Sequence, residues 1–501
     1  MNKVKDIKLD KKLNKKLLLS FEEFWERNKT SLLNEFFALL KFKSISTIPK
    51  YRDELFNCFV FLRDYIRKIA DFDTYVIGKS IQENINSLDE PKLKNFLKLN
   101  FKDSKQNPVL VAFLEQDKNL PWVLIYGHYD VQPADKNKWK SLPFEPTIKD
   151  NKILARGASD DKGRFFASLI GLKFLLKNKL LKQNIVLVIE GEEEIAGNTV
   201  KTAFEFIRSK VDTPKILYIN DTTWFTNEIP SIMYSLRGAV AFELYIKTGE
   251  SNLHSGLYGN IALNAGNLAS YAVFKLKDII RNRLRIDRLN RLVRKPSNEE
   301  IKFLANISPN WKQAQENSKT YFVTKYRRKS GEFLPLHMIG LRPSLDVNGI
   351  SAGYTGEGLK MIIPNEAFVK FSIRTVPYMT EEKTISLVNK YIEKILHRFK
   401  GIKYKLDVFA SAPYVWQDYN DYYMQLMQNI MSLILNKQVY FVPHGASNLA
   451  AGVAKTVFKD STLLMPAIGK PSHNIHAPNE NIEIDMLKNG ALILAFMLQY
   501  I

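Results

Sequence analysis

The chain has 501 residues, of which 45% are apolar, 25% charged and 12% aromatic, and its formal net charge is +21. A length of this order holds two or three domains, or one large domain with an insertion, and the composition excludes disordered, collagenous and low-complexity classes. The lone cysteine, Cys58, excludes an internal disulfide, and the longest apolar run, residues 491–498, is far short of the roughly 20 residues a membrane helix needs.

The positive charge is concentrated: residues 1–20 carry a net +5 and residues 281–330 a net +10. Neither stretch holds a zinc-finger or aromatic-basic pattern, so both read as solvated faces rather than a nucleic-acid interface. The chain start is basic, but its apolar piece, residues 17–19, is too short for the core of a secretory signal. The sequence therefore predicts a cytoplasmic protein with no nucleic-acid and no membrane partner.

Residues 20–70 repeat apolar side chains every three or four positions and predict helix. Short apolar runs at 109–114 and 123–126 then predict strands. Residues 164–176 read as an apolar helix and 185–189 as a buried strand. Asn198 or Thr199 is placed to cap a helix running to about 209, and 216–219 is a further strand. Strand, helix, strand with short links indicates an α/β fold, a mostly parallel sheet flanked by helices. From about 236 the texture changes to longer alternating strands, at 239–246, 367–374 and 404–409, with a helix at 381–399. The α/β pattern returns after about 414, with a helix at 422–435, a strand at 462–465 and a last buried helix at 482–498. The simplest organisation is a catalytic α/β domain made of 1–235 (1–19 being the basic N-terminal segment) and 415–501, interrupted by a smaller α+β domain, 236–414.

Histidine and acidic residues gather where the apolar strands end. Gly127-His128-Tyr129-Asp130 follows strand 123–126. Ser159-Asp160-Asp161-Lys162-Gly163 precedes helix 164–176. Glu190-Gly191-Glu192-Glu193-Glu194 follows strand 185–189, and Asn220-Asp221 follows strand 216–219. Loops at the carboxyl edge of a parallel sheet converge in space and are where ligands bind. Carboxylates so close together cannot all ionise without a cation, and imidazole nitrogen with carboxylate oxygen suits a hard or borderline metal. A later loop, His473-Asn474-Ile475-His476, offers one more imidazole, and spacing alone does not choose between its two histidines.

These stretches, together with His254-Ser255-Gly256, Ile363-Pro364, Lys370-Phe371-Ser372-Ile373-Arg374 and His476-Ala477-Pro478-Asn479-Glu480, occur in the order found in a known family. The chain resembles the carnosinase-like dipeptidases, within the superfamily of acetylornithine deacetylase, succinyl-diaminopimelate desuccinylase, aminoacylases and glutamate carboxypeptidases. The resemblance implies two divalent metal ions, zinc first, with manganese or cobalt also suited. His128 and Asp221 would hold one ion, Glu194 and His476 the other, and Asp160 would bridge them. Asp130 would orient His128, and Glu193 would be the general base acting on a shared water. The Asp160–Asp161 peptide is expected to be cis. His254 would help stabilise the oxyanion, and Arg374 would grip a substrate carboxylate. The inserted domain would be a lid and dimerisation domain, giving a homodimer in which His254 reaches the neighbour's site. His337, His397 and His473 are left as structural or solvated.

Three departures bear on the substrate. The pocket stretch Arg-Glu-Gly-Gly-Ser of relatives is here Pro443-His444-Gly445-Ala446-Ser447, which keeps Ser447 but replaces an acid with His444. Met361 stands where a threonine is expected, and Ala196 lengthens the turn after Glu194. The expected substrate is a dipeptide or short peptide with a free carboxylate. The alternatives are an N-acyl amino acid cleaved by the same chemistry, or a non-catalytic scaffold.

Overall fold

The computed structural model describes residues 9–102, 104, 106–309, 311–320 and 334–501. Part of the basic N-terminal segment (1–8) and part of the basic stretch 281–330 (310 and 321–330) lie outside the described residues. The chain forms two compact units, one of Met1–Tyr234, Gln417–Val442 and Val453–Ile501, the other of Ser235–Trp416 and Pro443–Gly452. The sequence reading put 443–452 with the catalytic part, but this segment packs in the second unit. There Gly445 accepts a hydrogen bond from Arg237 Nε at 3.0 Å, and Gly340 leaves room for Pro443.

In the first unit one sheet runs in the order Gln82–Asn84, Asp73–Ile77, Val109–Leu114, Asn184–Glu190, Trp122–His128, Ile216–Ile219, Thr462–Pro466 and Ser231–Leu236. Its centre, from Asn184–Glu190 to Thr462–Pro466, is parallel. The flanks are antiparallel. Strands buried on both faces are near-continuous apolar runs, as at Asn184–Glu190, so periodicity gives their existence but not their direction. The edge pair Asp73–Ile77 and Gln82–Asn84 carries no such run and is not evident from sequence.

The expected helical region 20–70 is two helices, Lys11–Leu40 and Arg52–Ile69, separated by a break that holds Pro49. The first begins inside the basic segment, where Asp10 caps it by accepting from Lys12 and Leu13. The helix Lys162–Lys177 is apolar on nearly every side because it is covered on nearly every side. It packs on Trp122–His128, on Lys11–Leu40 and on the final helix, Ile484–Gln499. Two glycines permit its close approach. A Cβ on Gly127 would lie 2.4 Å from the Phe165 ring, and one on Gly163 would lie 1.8 Å from the Ala158 carbonyl. The final helix starts at Ile484 rather than 482, since Asn481–Glu483 pairs as a strand with Lys152–Leu154.

The second unit is built on a four-stranded antiparallel sheet, in the order Ser344–Ala352, Glu366–Thr375, Gly238–Lys247 and Lys403–Ala412. Burial alternates strictly along Gly238–Lys247. Its inward residues Val240, Phe242, Leu244 and Ile246 form a core with helices Ala265–Leu276 and Glu381–Leu396. The half-exposed strand the sequence points to therefore lies inside the sheet. The edge is Lys403–Ala412, where Phe409 is 80% exposed.

Candidate active site

The parallel centre of the sheet brings four chain segments to one edge. His128 ends its strand in register with Glu190, and the turn with Glu193 and Glu194 follows directly. Asp221 lies just beyond Ile216–Ile219, where its neighbour Asn220 donates to the Arg164 carbonyl at 2.8 Å and ties this strand end to helix Lys162–Lys177. The loop after Thr462–Pro466 delivers His476.

Asp160 lies between the two histidines. Its Oδ1 is 3.4 Å from His128 Nε2, and its Oδ2 is 2.9 Å from His476 Nε2, which is also 3.1 Å from Glu194 Oε2. Among the described residues, two donor groups of this kind occur: His128, Asp160 and Asp221, and Asp160, Glu194 and His476. The donor atoms of each lie within 4.8 Å of one another. The Asp160–Asp161 peptide is cis.

The loop carrying Asp160 is held by Glu480. Its Oε1 accepts from the Ser159 and Asp160 N–H groups (2.9 and 2.8 Å), and its Oε2 accepts from Gly157 N–H (2.9 Å) and Arg156 Nη1 (2.7 Å). Lys162, also buried, donates to the carbonyls of Leu39 and Phe42 at 3.2 and 2.9 Å. Asp130 does more than orient His128. The ring Nδ1 is 3.0 Å from the Asp130 carbonyl and 3.4 Å from its carboxylate, while that carboxylate accepts from the N–H groups of Glu193 (3.3 Å) and Glu194 (3.1 Å). Gln132 Nε2 donates to Glu194 Oε2 at 2.7 Å.

The acidic run 190–194 divides by role. Glu190 is buried against the Tyr126 hydroxyl, and burial pushes its carboxyl up to about 8. Glu192 accepts from Asn107 and Thr199 N–H groups (2.6 and 3.1 Å) and so caps the helix Thr199–Lys210, a task the sequence reading gave to Asn198 or Thr199. Only Glu193 and Glu194 face the imidazoles. The added residue Ala196 closes their turn at φ 51°, in the left-handed region.

The charge balance of the site calls for a cation. Burial opposes ionisation of His128, but hydrogen bonding to Asp130 and Asp160 raises its pKa well above the usual value. His476 is pushed up to about 10 by Asp160 and Glu194. Burial also raises Glu193, helped by Asp221, Asp160 and Glu194. Protonated imidazoles among carboxylates supply positive charge where a metal would. His128 Nε2 is buried with no hydrogen-bond partner among the described residues. Imidazole nitrogen and carboxylate oxygen are donors for zinc and its neighbours, so the residues present fit divalent ions.

In the second unit, Arg374 on Glu366–Thr375 donates to Ser447 Oγ at 2.8 Å. Arg237, not foreseen from sequence, is close enough that burial and then Arg374 lower its pKa to about 10. His444 Nδ1 accepts from Ala446 N–H at 3.2 Å. His254 is exposed and accepts from Gly256 N–H at 3.1 Å, and Met361 accepts at its carbonyl from Ser255. His473, left unassigned from sequence, is buried between Ser159 Oγ (2.9 Å) and Glu483. His337 is buried and His397 exposed. The residues that sequence reasoning missed are Arg164, Arg237 and the loop-holding role of Glu480; the contacts that define them join distant parts of the chain.

Donor groups sharing one aspartate at the carboxyl edge of an α/β sheet have the outline of a two-ion hydrolytic centre. The profile of Peptidase family M20/M25/M40 matches residues 124–500, and the chain belongs to that family. It is 25% identical over 486 residues to the Cys-Gly metallodipeptidase of Saccharomyces cerevisiae, covering 94% of this chain and 96% of that protein. It is 26% identical over 468 residues to the Beta-Ala-His dipeptidase of Rattus norvegicus, covering 91% and 89%. Of solved structures, an M20 family metallo-carboxypeptidase from Sulfolobus solfataricus superposes with a TM-score of 0.75 at 24% identity, over 93% of this chain and 98% of that one. The resemblance read from the motifs thus holds.

The raised imidazoles give a pH dependence with a definite sign. In the ion-free protein at pH 7, below the His476 value of about 10, that ring carries a proton that a metal must displace. Affinity for zinc should therefore rise with pH, and each ion bound at pH 7 should release close to one proton. Calorimetric titration in buffers of different ionisation enthalpy measures this; heats independent of buffer would contradict the placing of His476 among the ligands.

Proposed function

We propose that this chain is a two-metal peptidase that cleaves dipeptides or short peptides with a free carboxylate. The observation that carries this reading is Asp160, whose two oxygens face two histidine-containing donor groups. His128 and Asp221 would hold one ion and Glu194 and His476 the other, with Asp160 shared. Zinc suits these donors first, and manganese or cobalt fit the same set. Bound there, the ions supply Lewis acidity and lower the pKa of water towards neutrality.

Glu193 acts as the general base. It takes a proton from the attacking water and returns it to the leaving amine, tasks suited to a carboxyl whose pKa is raised by burial. Asp130 places the base and the adjacent ligand together by holding both their N–H groups. Arg374, supported by Ser447 and lying near Arg237, binds the substrate carboxylate, with His444 lining the same segment. A guanidinium presents paired donors to a carboxylate, which a neutral group cannot match. His254 supplies a donor to the developing oxyanion. The first unit is the catalytic domain and the second the lid and dimerisation domain.

A homodimer is part of this reading. The edge strand Lys403–Ala412 carries exposed Phe409 and Val408, 80% and 41% accessible, and an uncovered edge of this kind favours pairing with a second copy about a two-fold axis. We place the enzyme in the cytoplasm, where the free buried thiol of Cys58 is at home. No helix among the described residues is long and apolar enough to cross a membrane.

Reconstitution with each metal and a panel of dipeptides tests the activity. Glu193→Gln should keep its metal and fold while turnover falls by roughly 10²–10⁴-fold; near-normal turnover would remove Glu193 from the mechanism. Cleavage of N-acetyl amino acids but no dipeptide would replace this reading with a deacylase. Arg374→Ala should cost about 2–5 kcal/mol in kcat/KM for a peptide acid and far less for its C-terminal amide. Equal losses on both substrates would show that Arg374 does not read the carboxylate. Sedimentation should give a mass near twice the chain's 57.8 kDa; a value near 57.8 kDa would contradict the dimer.

A further inference from the structure

The following rests on the two-ion reading above and concerns a residue that reading leaves unused. Arg164 lies in the first turn of helix Lys162–Lys177, and its side chain, 1% exposed, enters the acidic cluster. Its Nη1 donates to the Thr222 carbonyl at 3.0 Å. Its Nη2 donates to Asp160 Oδ1 and lies 2.9 Å from Asp221 Oδ1. Its Nε is 3.1 Å from Asp161 Oδ1.

These contacts fall on one side only. The Asp160 oxygen that Arg164 takes is Oδ1, which also faces His128, and Asp221 is the other carboxylate of that end. At the opposite end, Asp160 Oδ2 and Glu194 Oε2 face His476, whose side chain is 52% exposed, and the added neighbour is the neutral amide of Gln132.

We propose that Arg164 is a fixed internal cation of the His128 end, so that the two ends bind metal unequally. One ion binds tightly at Asp160, Glu194 and His476. The second, at His128, Asp160 and Asp221, binds weakly. A guanidinium remains charged at any pH the protein survives, and its planar fork is already matched to these oxygens. An ion at that end must share the same oxygens with a positive group beside it, where burial leaves little water to screen the repulsion. Arg164 cannot withdraw cheaply, because Thr222 and Asp161 hold its other nitrogens in a buried site. The free His128 Nε2 keeps the weak site available rather than closing it.

The test is stepwise binding of zinc to metal-free full-length protein, by equilibrium dialysis with elemental analysis, repeated with cobalt to read ligand geometry from absorption. The wild type should bind one ion at least tenfold more tightly than the second. His476→Ala should lose the tight ion, and His128→Ala should keep it. Arg164→Gln should tighten the second ion at least tenfold, bringing the two affinities together. The wild-type and histidine titrations leave Arg164 intact, so they decide the matter even if Arg164→Gln fails to fold. Two equally tight ions in the wild type, or a tight ion that depends on His128 and not on His476, would overturn the inequality while leaving the two-ion reading in place. Failure of the wild type to bind any ion would overturn both.

Discussion

The site turns on one buried carboxylate that touches no substrate. Glu480 gathers three backbone N–H groups and a guanidinium onto its two oxygens, and thereby fixes residues 157–160 in a single shape. Burial raises its carboxyl, while Arg156 and the backbone donors favour the charged form. Losing one partner of such a buried pair costs about 3–5 kcal/mol, because the other charge is left uncompensated. With that loop fixed, Asp160 stands between two histidines, and Arg164, one helical turn on, is committed to its place. The strand ends contribute the remaining donors at positions the sheet dictates.

Much of this is legible in the sequence because it is written locally. Apolar strand runs ending in His128, Glu190–Glu194 and Asp221 announce a carboxyl-edge site, and a parallel sheet is the arrangement that brings such ends together. The order of the motifs adds His476, which spacing alone cannot separate from His473. The structure separates them by partners: His473 is enclosed by Ser159 and Glu483, whereas His476 faces Asp160 and Glu194.

What is not legible depends on contacts across long separations. Glu480 and Asp160 are 320 residues apart, and nothing in the local pattern marks the first as the holder of the second. Glu192 reads as one more acid in a metal cluster, yet it caps a helix. Arg164 reads as the polar start of an apolar helix, yet its charge ends among the metal-site carboxylates. Strand direction is likewise silent, since runs buried on both faces look alike whether parallel or antiparallel. In the second unit the pairing of Arg374 with Ser447, close to Arg237, forms a strongly cationic corner. Such a corner suits an anionic end of a ligand, and the exchange of an acid for His444 in the same segment makes it less able to repel one.

The central claim is that Asp160 is the shared ligand of a metal centre. Anomalous diffraction at the zinc edge, from crystals of reconstituted protein, tests it most directly. The account predicts a strong peak about 2.0–2.2 Å from Asp160 Oδ2, Glu194 and His476, with any second peak weaker and on the His128 side. The absence of a peak at Asp160, or full occupancy at residues that exclude it, would contradict the account.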